Sequence, residues 1–147
     1  MKKAVFPGSF DPFTVGHANI VARALPLFDS IVIGVGINAG KSPLYSAKER
    51  VEHIRRIYAG ESRISVVAYD DLTVDLAQRE GADVIIRGVR GTKDFEYERE
   101  VAAVNRRLAG IETILIPCEE QYACISSSLV RELAAHGRDI AEFLPRH

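Results

Sequence analysis

Five short runs rich in β-branched and apolar residues recur along the chain, at 3–6, 30–36, 63–68, 83–86 and 113–116, with segments of helical spacing between them. Few folds accommodate that pattern. Runs such as Ile31-Val32-Ile33 and Val84-Ile85-Ile86 show no apolar–polar alternation, as parallel strands buried on both faces require. Parallel strands need crossover connections, and the intervening segments supply them. Val51, Ile54, Ile57 and Tyr58 form one helical stripe, Tyr97, Val101, Val104 and Leu108 a second, and Leu129 with Leu133 a third, each predicted to lie on the sheet. Ser46-Ala47-Lys48-Glu49 reads as a capping box, and Gly60 and Gly110 read as helix ends. The expected fold is α/β: one domain over residues 1–147 with a doubly wound, open, five-stranded parallel sheet. Joined by right-handed crossovers, an order of 3-2-1-4-5 would place a ligand crevice between the first and fourth strands, beyond their carboxyl ends.

Composition limits the function classes. A net charge of −1 gives no global basic field, so no nucleic-acid partner is expected and any anion must be held by local groups. No apolar run approaches the roughly 20 residues that span a bilayer, and the N-terminal residues lead into a strand too short for a signal sequence, so no membrane partner is expected and the cytoplasm is the expected location. Cys118 and Cys124 are too few and wrongly spaced for a zinc site and read as free thiols; no protein-bound metal is expected.

The polar clusters all fall after strands, on one predicted sheet edge. Residues 7–17, PGSFDPFTVGH, combine Gly8 and Gly16, which let backbone N–H groups approach an anion at a helix start, with the hydroxyls of Ser9 and Thr14 and the ring of His17. The same residues also fit a plain strand-to-helix turn capped by Ser9 or Asp11, with His17 solvated. Arg87 and Arg90 end the fourth run beside glycines, a setting for phosphate oxygens or for pairing with Asp94, Glu96 or Glu98. Asp94 and Glu98 share a helix face and could hold a ribose, a metal or those arginines. Lys41 is a cation on the same edge. Ser126, Ser127 and Ser128 open the last helix; one of them suffices as a cap, and the others would add to a second anion cradle. His53, His136 and His147 receive no role, and neither the Walker nor the Gly-x-Gly-x-x-Gly fingerprint is present.

Gly8 to His17 resembles the Thr-x-Gly-His form of the nucleotidyltransferase signature, and Ile125 to Arg131 resembles its serine-rich C-terminal partner. Arg87-Gly88-Val89-Arg90, Asp94 to Glu98 and Lys41-Ser42-Pro43, at this chain length, resemble the bacterial phosphopantetheine adenylyltransferase family. The resemblance implies a Rossmann-like nucleotidyltransferase fold and transfer of AMP from MgATP to 4′-phosphopantetheine, giving 3′-dephospho-coenzyme A and pyrophosphate. It implies that ATP is bound by Ser9, Phe10, His17, Gly88, Val89, Arg90, Glu98, Tyr122, Ala123, Cys124, Ile125, Ser126, Ser127 and Ser128. It implies that phosphopantetheine is bound by Ser9, Lys41, Thr73 and Arg87, and that His17 and Lys41 are catalytic. Magnesium arriving with ATP, a homohexamer and feedback inhibition by coenzyme A are further implications. Three alternatives compete. A related transferase acting on nicotinamide mononucleotide, or a cytidylyltransferase, conflicts with the 87–98 block. A non-catalytic nucleotide-binding module would bind ATP without pyrophosphate exchange. A class I aminoacyl-tRNA synthetase fragment has no room for a tRNA-binding extension.

Overall fold

A computed structural model describes residues 1–38 and 42–146. Five parallel strands, β1 (Lys3–Gly8), β2 (Ser30–Gly36), β3 (Ile64–Tyr69), β4 (Val84–Val89) and β5 (Glu112–Pro117), lie in the order β3-β2-β1-β4-β5. This is the order in which the crevice falls between the first and fourth strands. Helices α1 (Val15–Ala24), α2 (Ala47–Ile57), α3 (Thr73–Glu80), α4 (Thr92–Ala109) and α5 (Ser127–Ala135) follow the strands in turn.

The unbroken apolar runs divide by the two-residue period of the strand. Ala4 and Phe6 of β1, with Ile31, Ile33 and Val35 of β2, face Ile20 and Val21 of α1 and Val51 and Ile54 of α2. Val5, Val32 and Ile85 point the other way, onto Val74, Leu76 and Ala77 of α3. One core lies on each side of the sheet, which is what a doubly wound arrangement demands. Ile31, Ile33, Ile54, Leu76 and Ile85 are all less than 2% exposed. Truncating a side chain in such a position costs about 2–5 kcal/mol, so register along β1 and β2 is firmly set.

The helix ends show which local signals prevailed. Ser46 and Glu49 form the expected capping box on α2. Gly110 ends α4 at φ +68°, but the corresponding cap after α3 is Gly81 at φ +67°, and Gly60 lies beyond the Tyr58 cap of α2 without a left-handed conformation. The α4 stripe departs from expectation. Tyr97, Val104 and Leu108 are 64%, 55% and 60% exposed; of the stripe only Val101 is half-buried, and the one buried residue of the helix is Glu98. Periodicity locates an apolar face but does not say whether this sheet or something else covers it.

The site lies where β1 and β4 meet. Their pairing extends only through Ala4–Val84 and Val5–Ile85, although β1 continues to Gly8 and β4 to Val89. Beyond Phe6 the two strands part, and the guanidinium of Arg87 donates across the gap to the carbonyl of Pro7. The crevice is this opening.

Candidate active site

A cavity of about 360 Å³ occupies the opening between the carboxyl ends of β1 and β4. Three chain segments line most of it: the Gly8–His17 loop with the first turn of α1, the end of β4 with the first half of α4, and the first turn of α5. Among the predicted site residues it gathers Ser9, Phe10, His17, Arg87, Gly88, Arg90, Glu98, Ile125, Ser126, Ser127 and Ser128. Val89 lines a shallow depression alongside, sharing Arg90 and Cys118 with the main cavity. Tyr122 and Ala123 form the turn before Ile125, with Tyr122 behind Gly16, and Cys124 is an exposed free thiol. Thr73 is not brought to the cavity: it opens α3 after the edge strand β3, and its hydroxyl lies 3.2 Å from the Tyr69 hydroxyl. Lys41 lies outside the described residues.

The first loop owes its shape to Phe10. This residue has φ +50°, which turns its ring into the core at 3% exposure and leaves Ser9 exposed at the cavity mouth. The Phe10 ring packs edge-on against Phe6 and Phe13, each with centroids 5.2 Å away. A Cβ at Gly8 would stand 2.9 Å from that ring, so glycine is required here for close approach, with no unusual φ involved. Any contact between Phe10 and a ligand therefore comes from its backbone.

Thr14, neither Ser9 nor Asp11, caps α1. Its hydroxyl, in a residue 1% exposed, accepts from the His17 N–H and so forms part of the helix cap at the cavity wall. The Thr14 N–H in turn donates to His17 Nδ1 at 2.9 Å, closing a capping box in which histidine takes the place usually held by glutamate. With Nδ1 accepting, a neutral imidazole carries its proton on Nε2. The ring is surrounded by Phe10, Phe13 and Phe6, with centroids 5.0, 5.4 and 6.3 Å away. Burial, followed by the positive charges of Arg87 and Arg90, lowers its pKa to about 3. His17 is thus a neutral hydrogen-bond donor at physiological pH.

This protonation state has a measurable consequence for stability. Between pH 3 and 6.5 the unfolded chain binds a proton at His17 that the folded chain refuses. Stability contributed by the neutral ring is intact above pH 6.5 and falls by up to about 1.4 kcal/mol per pH unit on acidification toward pH 3. His17→Asn, whose amide oxygen can accept the Thr14 N–H, is expected to unfold in urea with a shallower pH dependence between pH 4 and 6.5. Equal slopes for the two proteins would contradict the buried neutral imidazole.

The arginines hold carboxylates inside the cavity. Arg87 Nε donates to Glu98 at 2.7 Å, and Glu98, at 5% exposure, is the one buried carboxylate of α4. Arg90 donates from its backbone N–H and from Nε to Asp94, both at 3.1 Å. Of the alternatives open for Asp94 and Glu98, the structure selects the arginines: the carboxylates set guanidinium positions at the end of β4. Gly88 leaves room for Ile20, since a Cβ there would stand 3.1 Å from Ile20 Cγ1, a tight contact that Ile20 would have to relieve.

Each of the three serines has a separate task. Ser126 caps α5, its hydroxyl accepting from Leu129 N–H at 3.1 Å. Ser127 donates to the Pro12 carbonyl at 2.7 Å, and Ser128 accepts from Arg131 Nη2 at 3.0 Å. The anion-binding capacity at this end therefore resides in the first-turn N–H groups of α5, which no intrahelical carbonyl can reach. Arg131 adds a cation. It lines the cavity and donates to the Asp11 carbonyl at 2.7 Å, yet its place in the serine-rich motif gave no hint of that role. Two helix N-termini, three guanidiniums and a neutral imidazole so converge on one cleft, an arrangement suited to a polyphosphate.

The family model described as cytidylyltransferase-like matches residues 5–133. The phosphopantetheine adenylyltransferase of Bacteroides thetaiotaomicron is 51% identical over 145 residues, covering 99% of this chain and 96% of that one. The chain belongs to the phosphopantetheine adenylyltransferase family. The family member from Porphyromonas gingivalis is also 51% identical, over 99% of this chain and 96% of its own length. Among solved structures, a bifunctional NMN adenylyltransferase/ADP ribose pyrophosphatase from Francisella tularensis superimposes with a TM-score of 0.73 at 16% identity. The match covers 99% of this chain and 45% of the other, and shows that the two share a fold.

Proposed function

We propose that the protein transfers AMP from MgATP to 4′-phosphopantetheine, forming 3′-dephospho-coenzyme A and pyrophosphate in coenzyme A synthesis by direct in-line displacement. The observation that carries the mechanism is the neutral His17 imidazole, protonated on Nε2, in a cleft that also holds Arg87, Arg90 and Arg131. The nucleophile is a phosphate monoester with a second pKa of about 6, so it is largely dianionic at neutral pH and needs no general base. Its oxygen attacks the α-phosphorus as the bond to the pyrophosphate oxygen breaks, with no covalent enzyme intermediate. Positioning and charge stabilisation then supply the catalysis.

In this scheme His17 Nε2–H donates to a non-bridging α-phosphate oxygen as charge builds there, with Lys41 as the second catalytic group. Arg87 and Lys41 hold the incoming phosphate, with Ser9 and Thr73 as further contacts to phosphopantetheine. Arg90, Arg131 and the α5 amides of Ser127 and Ser128 hold the β- and γ-phosphates. The stretch from Tyr122 to Ile125, with Phe10, Gly88, Val89 and Glu98, encloses the remainder of ATP. Magnesium arrives as part of MgATP and neutralises phosphate charge; the cavity carboxylates Asp94 and Glu98 are already committed to arginines. Incubation with MgATP and phosphopantetheine should yield dephospho-coenzyme A by mass. Folded protein that binds ATP but gives no such product would overturn the reading.

Three broader properties complete the proposal. Coenzyme A contains the product's adenylylated phosphopantetheine and inhibits at the same cleft. The cytoplasm is the site of action, a reducing compartment consistent with the free thiols Cys118 and Cys124. The chain self-associates as a homohexamer, supported by the outward apolar face of α4 formed by Tyr97, Val104 and Leu108. Sedimentation of wild type should give a mass several times 16.2 kDa. Val104→Glu with Leu108→Glu should shift it toward that of the monomer, and an unchanged mass would remove this face from the interface.

A further inference from the structure

Asp11 and Arg50 are both 5% exposed charged residues, and neither lines the cavity. Arg50 lies on α2, with its guanidinium directed to backbone carbonyls: Nε donates to Tyr45 at 3.1 Å, while Nη1 donates to Ser9 and, at 3.1 Å, to Gly36. The Asp11 carboxylate accepts from the Leu44 N–H and the Tyr45 N–H, each at 2.8 Å. Residues 36 and 44–45 flank the connection from β2 to α2. Both ends of that connection are therefore tied to the Ser9–Asp11 loop by charge-assisted bonds, the stronger class of hydrogen bond. The Asp11 carbonyl is itself held by Arg131 and the carbonyl of the next residue, Pro12, by Ser127, so the same loop is fixed to α5 as well.

We propose that Asp11 and Arg50 are positioning residues for adenylyl transfer: a buried brace that sets the backbone of Ser9, at the cavity mouth, relative to the β2–α2 connection. The inference rests on the transferase reading above. Burying a guanidinium is costly unless its donors are satisfied, and a long apolar side chain would fill the same volume without that cost. What a hydrocarbon could not do is hold three carbonyl oxygens from separate segments in one plane. Ser9 is exposed at the cavity, and its carbonyl accepts from the buried Arg50, so that bond restrains the backbone of a residue that lines the site.

Arg50→Met and Asp11→Ala are expected to lower kcat at least tenfold, with ATP affinity by calorimetry changed less than threefold. Amide exchange at Leu44 and Tyr45 should accelerate in both variants. A double-mutant cycle separates positioning from loss of stability: in a Ser9→Ala background, Arg50→Met should cost less than threefold in kcat, because the hydroxyl carried on the positioned backbone is gone. Additive losses, or an Arg50→Met enzyme within twofold of wild type in kcat, would overturn the brace. Should Arg50→Met not fold, Arg50→Lys serves, since one ammonium cannot reproduce the planar fork; full kcat in that variant would equally overturn it. Wild-type turnover is the control: its failure to make dephospho-coenzyme A refutes the transferase reading, whereas the exchange data judge the brace independently.

Discussion

His17→Ala is expected to lower kcat by about two to three orders of magnitude, the usual cost of removing one preorganised donor to a developing oxyanion, or about 2.7–4 kcal/mol. The ATP dissociation constant should change far less. The imidazole is neutral, so it adds little Coulomb attraction to ground-state ATP beside Arg87, Arg90 and Arg131. Its Nε2–H matters most when charge accumulates on the α-phosphate oxygens. Alanine also leaves the Thr14 N–H without its Nδ1 acceptor, so His17→Asn is the control that retains the cap while moving the donor. Steady-state kinetics together with ATP calorimetry measure both quantities. Parallel losses in kcat and ATP affinity would make His17 a ground-state binding group instead.

Arg87→Met is expected to be the second most damaging change, and to act twice. It removes the cation from the end of β4, raising KM for phosphopantetheine by about ten- to a hundredfold, as loss of a charge-assisted phosphate contact implies. It also strands Glu98, whose side chain is 6% exposed, beside an apolar neighbour. Breaking a fully buried pair costs about 3–5 kcal/mol; the Arg87 side chain is 33% exposed, so a loss of about 1–3 kcal/mol is expected here. Glu98→Gln keeps an oxygen for Arg87 Nε and should retain most phosphopantetheine affinity. If the two variants raised KM equally, Glu98 rather than Arg87 would be the group that matters to that substrate, and the assignment would fail.

The sequence was most legible where one local rule governs the outcome. Five β-rich runs with helical segments between them imply a doubly wound parallel sheet, and every polar loop then falls on one edge. The capping box of Ser46 and Glu49 is equally local. Legibility failed where a residue's partner is remote. Asp94 and Glu98 could not be assigned by spacing, because their partners are fixed by where β4 ends. Arg131 reaches a carbonyl 120 residues away, and Arg50 one 41 residues away; neither bond leaves a trace in the adjacent residues. The α4 stripe misled for another reason: its periodicity is real, but Tyr97, Val104 and Leu108 face away from the sheet.

The cap of α1 links folding to reactivity. The Thr14 amide that would otherwise be an orphan donor at the helix start is the same proton that decides which nitrogen of His17 is free to donate. Nucleating this helix and arming the enzyme are consequently one molecular event. A substitution that frays the first turn would release the ring into its other tautomer while the sheet stayed intact, silencing chemistry in a molecule that still looks native by bulk spectroscopy. Variants inactive without loss of secondary structure should therefore cluster around Thr14 as much as around the groups that touch phosphate.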